Sequence, residues 1–330
     1  MPHSPESVAR KALGCLFPGG RPSLLYLEPL AGQASARKYF RLVLDSPWAP
    51  GQGNSLVLAL LGDDPLASAE VLSGERPTEP PFLELQALLH SAGVRVPAIV
   101  LDRWREGYMV LSDLGDTTLK RQIEAGLQPR EALLGQAVDF LVEFQTRTWR
   151  LPELGLAGRR RFTKELFLWE LEHFREWGLA ELAGARLTPA ENGLLDRFFD
   201  EVAGHLAALP PHLVHRDFQS TNLMVRPEGL CLIDFQDALL GPETYDLVAL
   251  LRDSYIELPP PELDSLLARY VALRGASGAG PVDPDFVRHF HLQTLQRKLK
   301  DAGRFVFIHR RRGNPGFLKF FPASVGYVRQ

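Results

Sequence analysis

The chain has 330 residues, 45% of them hydrophobic and 23% charged, with a formal net charge of -3. That length supports a large core, divided most simply between two lobes, and the slight acidity argues against a generic nucleic-acid binder. No window is apolar for long enough to span a bilayer, and Met1 to Gly20 lacks a basic stretch followed by a long apolar run; the sequence therefore reads as a cytoplasmic protein with no membrane attachment.

Taken in order, Ser7 to Phe17 carries apolar residues at helical spacing (Val8, Leu13, Leu16, Phe17) and ends at Pro18-Gly19-Gly20. Three strands follow over 24–30, 39–44 and 55–61. The first two are joined by a run of small residues from Ala31 to Ala36, containing Gly32 and Ser35. Such a loop lets backbone N–H groups approach a phosphate chain. Residues 63–81, rich in Pro, Glu, Ser and Gly, read as a loop. A helix over 81–92 places Phe82, Leu85, Leu88 and Leu89 on one face, and Gly93 ends it. Strands over 98–102 and 108–111 lead through Leu111-Ser112-Asp113-Leu114-Gly115 into a mainly helical second half. There Leu134, Val138, Leu141 and Gln145 mark a central helix. Phe162 to Trp177 is an unusually aromatic one, better explained by core packing than by a sugar-binding face. Thr188-Pro189 starts another helix, with Thr as N-cap. Gly241-Pro242 opens a helix to Asp253, Gly275 to Pro281 is a flexible linker, and 285–303 is a long helix. Cys15 and Cys231 both sit in apolar segments, which predicts two buried free thiols rather than a disulfide framework or a zinc site.

The chemistry is concentrated in Leu213-Val214-His215-Arg216-Asp217-Phe218-Gln219-Ser220-Thr221-Asn222 and Leu232-Ile233-Asp234-Phe235-Gln236. Asp217 follows an apolar pair, Asn222 comes five residues later, and Asp234 ends the apolar run Leu230-Cys231-Leu232-Ile233. Asn222 and Asp234 offer hard oxygen ligands of the kind that hold Mg²⁺ on substrate phosphates. Asp217 can orient a hydroxyl nucleophile and accept its proton. Together they make the working half of a phosphoryl-transfer site.

These motifs resemble those of the aminoglycoside phosphotransferase and choline kinase family, a branch of the protein-kinase-like fold. The closer likeness is to the bacterial kinases of the anomeric hydroxyl of N-acetylmuramate and N-acetylglucosamine in cell-wall recycling. It is carried also by Leu30-Ala31-Gly32-Gln33-Ala34-Ser35 with Tyr39-Phe40-Arg41, by Leu111 to Gly115, by Tyr245-Asp246-Leu247 with Leu250 to Tyr255, and by Leu295-Gln296-Arg297 and Gly303-Arg304-Phe305. The resemblance implies an α+β bilobal fold. A small antiparallel sheet lobe over 1–112 binds the nucleotide, and a larger helical lobe over 113–330 carries the catalytic loop and the acceptor site. It further implies ATP and Mg²⁺, with adenine at the hinge around Leu111 and Asp113. Asp217 would be catalytic, Asn222 and Asp234 would bind metal, and Asp246 would support the catalytic loop. Glu170, Gln219, Gln236 and Arg304 are candidates for the acceptor side, the acceptor being a small-molecule sugar.

One element of the family pattern is missing. The third strand, Ser55 to Leu61, has no lysine, and Lys38 is the only lysine between Lys11 and Lys120. Arg37, Lys38 and Arg41 are therefore the candidate cations for the ATP phosphates. Strand alternation puts Arg37 and Arg41 on one face with Tyr39, and Lys38 on the other with Phe40 and Leu42. A missing lysine also suits a catalytically inactive nucleotide-binding regulator, while retention of all three oxygen side chains favours an enzyme. Another acceptor, such as an aminoglycoside or a small alcohol, is the alternative within the same chemistry. Arg297, Lys298, Lys300, Arg304 and the cluster from Arg310 to Arg312 tilt the choice towards a neutral or anionic sugar.

Overall fold

A computed structural model describes residues 4–30, 37–62, 64–66 and 77–330. Helix α1 (Pro5–Leu16) starts from Ser4, whose side chain accepts the Ser7 N–H, with proline in its first turn. Its Ala9, Ala12 and Leu13 pack with Leu42, Leu44, Leu56 and Leu58 on one face of a five-stranded antiparallel sheet. The strands are β1 (Leu24–Leu30), β2 (Lys38–Leu44), β3 (Ser55–Leu60), β4 (Ile99–Arg103) and β5 (Tyr108–Ser112), in the spatial order β1-β2-β3-β5-β4. Period-two alternation sends Tyr39, Val57 and Ala59 to the opposite face, where they join the main core.

Helix α2 (Pro81–Ser91) leans on that face and ties the sheet to the rest of the chain. Phe82 stacks on Phe235 with ring centroids 4.9 Å apart, next to Asp234. Beyond α2, Arg95 exchanges bonds with a later strand: its Nε donates to the Leu230 carbonyl and its own carbonyl accepts the Leu232 N–H, both at 2.8 Å. Glu84 accepts the Leu156 N–H at 2.5 Å.

The larger part is helical. It contains α3 (Leu119–Ala125), α4 (Arg130–Trp149), α5 (Gly155–Arg159), α6 (Lys164–His173), α7 (Pro189–Ala208), α8 (Thr244–Leu251), α9 (Pro260–Ala276), α10 (Phe286–Arg312) and α11 (Phe321–Arg329). Helix α4 buries Leu134, Val138, Leu141 and Gln145 on one face, as its spacing predicts. Helix α7 begins with a capping box: Thr188 accepts the Glu191 N–H, and Glu191 accepts the Thr188 N–H. Two short two-stranded antiparallel sheets hold the chemistry. One pairs β6 (Pro211–Val214) with β9 (Leu239–Pro242); the other pairs β7 (Leu223–Arg226) with β8 (Gly229–Leu232).

Several expectations change. Gly241-Pro242 closes strand β9 instead of opening a helix, and α8 begins at Thr244. Pairing with β6 decides this: Pro211 sits opposite Pro242 at the strand ends. The long C-terminal helix runs on to Arg312, stopped by Gly313 at φ 65°, so Arg304 and the cluster from Arg310 to Arg312 are helical. The proposed linker is in part helix, since α9 reaches Ala276. The aromatic helix is α-helical only to His173 and continues as a π-helix over Phe174–Leu182. There the α10 backbone comes so close that a Cβ on Gly303 would lie 2.5 Å from the His173 carbonyl oxygen. Phe162 and Phe167 are buried and stacked at 4.6 Å, which is core packing. Cys231 is buried as expected, but Cys15 is exposed, because α1 presents only one face to the sheet.

Candidate active site

The turn after β6 is built by buried acids and backbone. Asp246, on α8, accepts the N–H groups of His215 at 2.7 Å and Arg216 at 3.0 Å. Burial raises its pKa to about 6, so two backbone donors hold a carboxylate that would otherwise resist desolvation. His215 bridges the two halves of the motif. Its Nε2 is 2.9 Å from the Ile233 carbonyl, and its Nδ1 accepts the Asp217 N–H at 3.2 Å. That pair of bonds fits a neutral ring with the proton on Nε2, and burial lowers its pKa accordingly. His215 therefore braces the loop and has no lone pair left for a substrate.

Among the described residues, two that are not glycine hold left-handed backbone: Arg216 at φ 76° and Asp234 at φ 66°. Each such residue costs roughly 1–3 kcal/mol and persists only where its surroundings fix it. Here one precedes Asp217 and the other is Asp234 itself, so the strain lies at the two carboxylates that chemistry would use.

Asn222 joins the parts. Its Nδ2 donates to the Asp217 carbonyl at 2.9 Å, and its carbonyl accepts the Ile233 N–H at 3.1 Å. Asp217, Asn222 and Asp234 therefore share one small volume, although 17 residues of chain separate the first from the last. Burial raises the Asp234 pKa, and the like charges of Asp217 and Asp237 add to the effect. Such a concentration of carboxylate charge is what a divalent cation relieves, so the donor set fits Mg²⁺. Gln236 donates to Asp234 Oδ1 at 2.9 Å and so orients the carboxylate.

Asp217 differs. Its side chain is 46% exposed, and Arg297, itself 1% exposed, reaches it from α10 with Nη2 3.2 Å from Oδ1. Arg297 Nη1 also donates to the Arg216 carbonyl at 2.7 Å. Burial opposes the Asp217 charge, but Lys300, Arg297 and Arg216 outweigh it and set the pKa below the ordinary carboxylate value. The group is an ionised, well-positioned acceptor rather than a strong base.

The remaining candidates divide. Glu170 is fully buried, with Arg216 Nη2 3.4 Å from Oε1 and Gln296 Nε2 2.7 Å from Oε2. It serves as an internal tie instead of the expected acceptor contact, because both its oxygens face protein donors. Gln219 closes the loop through its backbone: its N–H donates to the Asp217 carbonyl at 2.8 Å. Arg304 is half-buried on α10, its guanidinium 5.1 Å from the Phe307 ring centre. Leu111 is buried on β5. Arg41, expected among the phosphate cations, is instead engaged by Asp113 at 2.6 Å, Asp116 at 2.9 Å and Glu28 at 3.2 Å. Asp113 is thereby an ion-pair partner, and it also accepts the Gly115 N–H. Lys38 is exposed on the face of β2 shared with Phe40 and Leu42. Arg37 is placed differently: its side chain hydrogen-bonds Tyr39, and its charge bears on Asp234. Gly32 and Ser35 lie outside the described residues.

Three residues escaped the site reading. Arg297 is noticed in sequence only within the stretch Leu295-Gln296-Arg297 and a basic run, and Lys300 only within that run, yet Arg297 pairs with Asp217 from α10 and the Lys300 charge bears on it. Asp253 accepts the Ser220 N–H at 2.9 Å and hydroxyl at 2.6 Å, pinning the loop between Asp217 and Asn222. The available signal was charge on positions that a helix of this length must bury.

A two-part architecture with a hydroxyl-orienting aspartate beside an Asn/Asp oxygen pair defines the kinase-like phosphotransferases. The model of the phosphotransferase enzyme family matches residues 27–290, and the chain belongs to that family. It is 34% identical to the N-acetylmuramate/N-acetylglucosamine kinase of Neisseria meningitidis, covering 91% of this chain and 84% of that one. With the enzyme of the same name from Pseudomonas aeruginosa the identity is 32%, over 92% of this chain and 82% of its relative. In fold it is similar to a choline kinase from Streptococcus pneumoniae (TM-score 0.62, 15% identity, 98% of each chain covered). It is likewise similar to the GDP complex of aminoglycoside 2'-phosphotransferase-IIIa (TM-score 0.61, 16% identity, 99% of each chain). The protein is an enzyme, a kinase of the small-molecule type.

Proposed function

We propose that the protein transfers the γ-phosphoryl group of ATP to the anomeric hydroxyl of N-acetylmuramate or N-acetylglucosamine, a step in cell-wall sugar recycling. The observation that carries the reading is the convergence of Asp217, Asn222 and Asp234 through the Asn222 bonds at 2.9 and 3.1 Å. The choice of sugar rests on the relatives' names and on charge. Arg297 and Lys300 surround the acid that receives the acceptor, and a polycationic acceptor would be repelled there.

The nucleotide binds between the sheet unit, residues 1–112, and the helical unit, residues 113–330, with adenine against the segment from Leu111 to Asp113. Asn222 and Asp234 hold Mg²⁺, which supplies charge neutralisation on the phosphates. Arg37 stands in for the absent third-strand lysine, since it is the candidate cation whose charge reaches Asp234. Asp217 accepts a hydrogen bond from the acceptor hydroxyl, aligns its oxygen for attack and takes the proton as the new bond forms. Its depressed pKa suits this role. When the transition state is loose, little proton abstraction is needed before phosphoryl transfer, and alignment matters more than basicity. Arg297 fixes the carboxylate and the Arg216 carbonyl together, so the acid cannot rotate away.

An acceptor panel tests the reading. With ATP and Mg²⁺, turnover is expected on N-acetylmuramate and N-acetylglucosamine and not on kanamycin or choline. Turnover confined to the amines would overturn the choice of sugar.

A further inference from the structure

Away from the phosphoryl-transfer centre, one group of side chains has ligand chemistry that the kinase reaction does not use. It lies where α10 begins. Asp285 is the N-cap of that helix, His289 follows one turn later, and Asp283 precedes both. One ligand atom from each of the three lies within 4.8 Å of the other two. The spacing brings this about, since positions four apart share a helix face. Asp283 and His289 also line a cavity of about 310 Å³, which gives an ion a way in.

Helix capping accounts for part of this. Negative charge is favoured at a helix N-terminus, and Asp283 Oδ1 accepts the Asp285 N–H at 2.8 Å. Yet the Asp285 side chain makes no capping bond, and among the described residues no cation pairs with either carboxylate.

Capping does not account for His289. Its side chain is only 7% exposed and, among the described residues, has no hydrogen-bond partner. Its ring faces that of His205 on α7, with centroids 5.1 Å apart, and His205 Nε2 is itself buried without a partner. A buried imidazole normally spends its nitrogens on hydrogen bonds, and two unmatched rings side by side are costly until something completes them. Burial, and then the neighbouring His289, disfavour protonation of His205, so its lone pair is available.

The donor set says what completes them. Mg²⁺ and Ca²⁺ take oxygen ligands, whereas imidazole beside carboxylate suits Zn²⁺ and its neighbours in the first transition row. Bonds of about 2.1 Å in a tetrahedral zinc site put ligand atoms about 3.4 Å apart. Asp283 and Asp285 are exposed, so rotation of their side chains closes the remaining gap.

We infer that Asp283, Asp285 and His289 form a binding site for a divalent transition-metal ion of the zinc type, with His205 beside the position left to water. The bound ion ties the chain before α10 to its first turn. It thereby steadies the helix that presents Arg297 about two turns further on. The site is structural, and phosphoryl transfer does not pass through it.

The test titrates the metal-free full-length protein with Zn²⁺ by calorimetry, in excess Mg²⁺ to compete at Asn222 and Asp234. The wild type is expected to bind Zn²⁺ and to melt at a higher temperature with it. Even groups that only support a metal ligand are worth about 10–100-fold in affinity, so Asp283→Asn and His289→Gln should each weaken binding by about tenfold or more and remove the rise in melting temperature. A wild type that binds no Zn²⁺ overturns the site. Binding that persists unchanged in both variants does so too, since the ion then sits elsewhere. If His289→Gln fails to fold, Asp283→Asn, altered at an exposed side chain, decides alone.

Discussion

At the scale of residues, Asp113, Asp116 and Glu28 engage Arg41, while the Arg37 charge bears on Asp234. Strand alternation correctly places Arg37 and Arg41 on the face of Tyr39, and Lys38 on the other. It cannot show that Asp113, Asp116 and Glu28 engage Arg41, because those acids come from three different segments. Arg37 is left as the candidate facing Asp234. Arg37→Ala is expected to raise the KM for ATP by about tenfold or more, the worth of one charge-assisted hydrogen bond, with a smaller effect on the sugar. Lys38→Ala should leave the KM for ATP within about twofold. Steady-state kinetics with each substrate varied in turn decides the matter; equal, small effects for both variants would remove Arg37 from the phosphates. The His-x-Asp-x-x-x-x-Asn spacing was legible because chemistry fixes it. Arg297 and Lys300 were not, since their role depends on a helix meeting the loop from 80 residues away.

At the scale of elements, most helices and strands announce themselves through caps and periodicity. Thr188-Pro189 with Glu191 is one instance, and the face of Leu134, Val138 and Leu141 another. Failures occur where tertiary contact overrides local signal. Gly241-Pro242 looks like a helix start but is held as the end of strand β9 by β6. The stretch around His173 looks like uniform helix but widens into π geometry where α10 crosses it. Gly303 makes that crossing possible. An added methyl would sit 2.5 Å from the His173 carbonyl oxygen and 2.8 Å from the Phe174 nitrogen, both backbone atoms. Alanine gains about 1 kcal/mol in helix propensity, but overpacking against immovable backbone costs about 1–3 kcal/mol, so the contact prevails. Gly303→Ala should lower the melting temperature and, because α10 carries Arg297, lower kcat as well. A melting temperature equal to or above that of the wild type would show that the crossing is loose.

At the scale of the whole molecule, stability should depend on acid in a way traceable to the β6–β9 pair beside the site. His212 on β6 is buried and stacked on Trp149 at 4.9 Å. Burial, aided by the Arg274 charge, lowers its pKa to about 4. The unfolded chain therefore binds this proton more readily than the folded one. The group's contribution is intact above its ordinary pKa of 6.5 and is lost as pH falls from there through about 4. The full difference is about 3 kcal/mol. Asp246, raised to about 6, acts in the opposite sense, since the fold binds its proton more tightly. The two are separated by difference. Urea unfolding of the wild type and His212→Gln should show a stability gap that narrows by up to about 3 kcal/mol between pH 7 and pH 4; a constant gap would mean that His212 does not stay neutral in the fold. The bilobal α+β plan was legible through the family resemblance that the motifs around Asp217 and Asp234 carry rather than through period alone, since α1 and α2 interrupt the sheet-forming part and β6 to β9 the helical one.

The central claim is that Asp217 aligns a sugar hydroxyl at the anomeric carbon for phosphoryl transfer, and product analysis by phosphorus-31 NMR tests it most directly. With N-acetylglucosamine, ATP and Mg²⁺, we predict a phosphate resonance coupled to the anomeric proton of the sugar. Asp217→Asn should form the same product at a rate lower by roughly two to four orders of magnitude, the usual worth of a positioned acid or base. A phosphate coupled to any other ring position, or wild-type turnover in Asp217→Asn, would contradict the account.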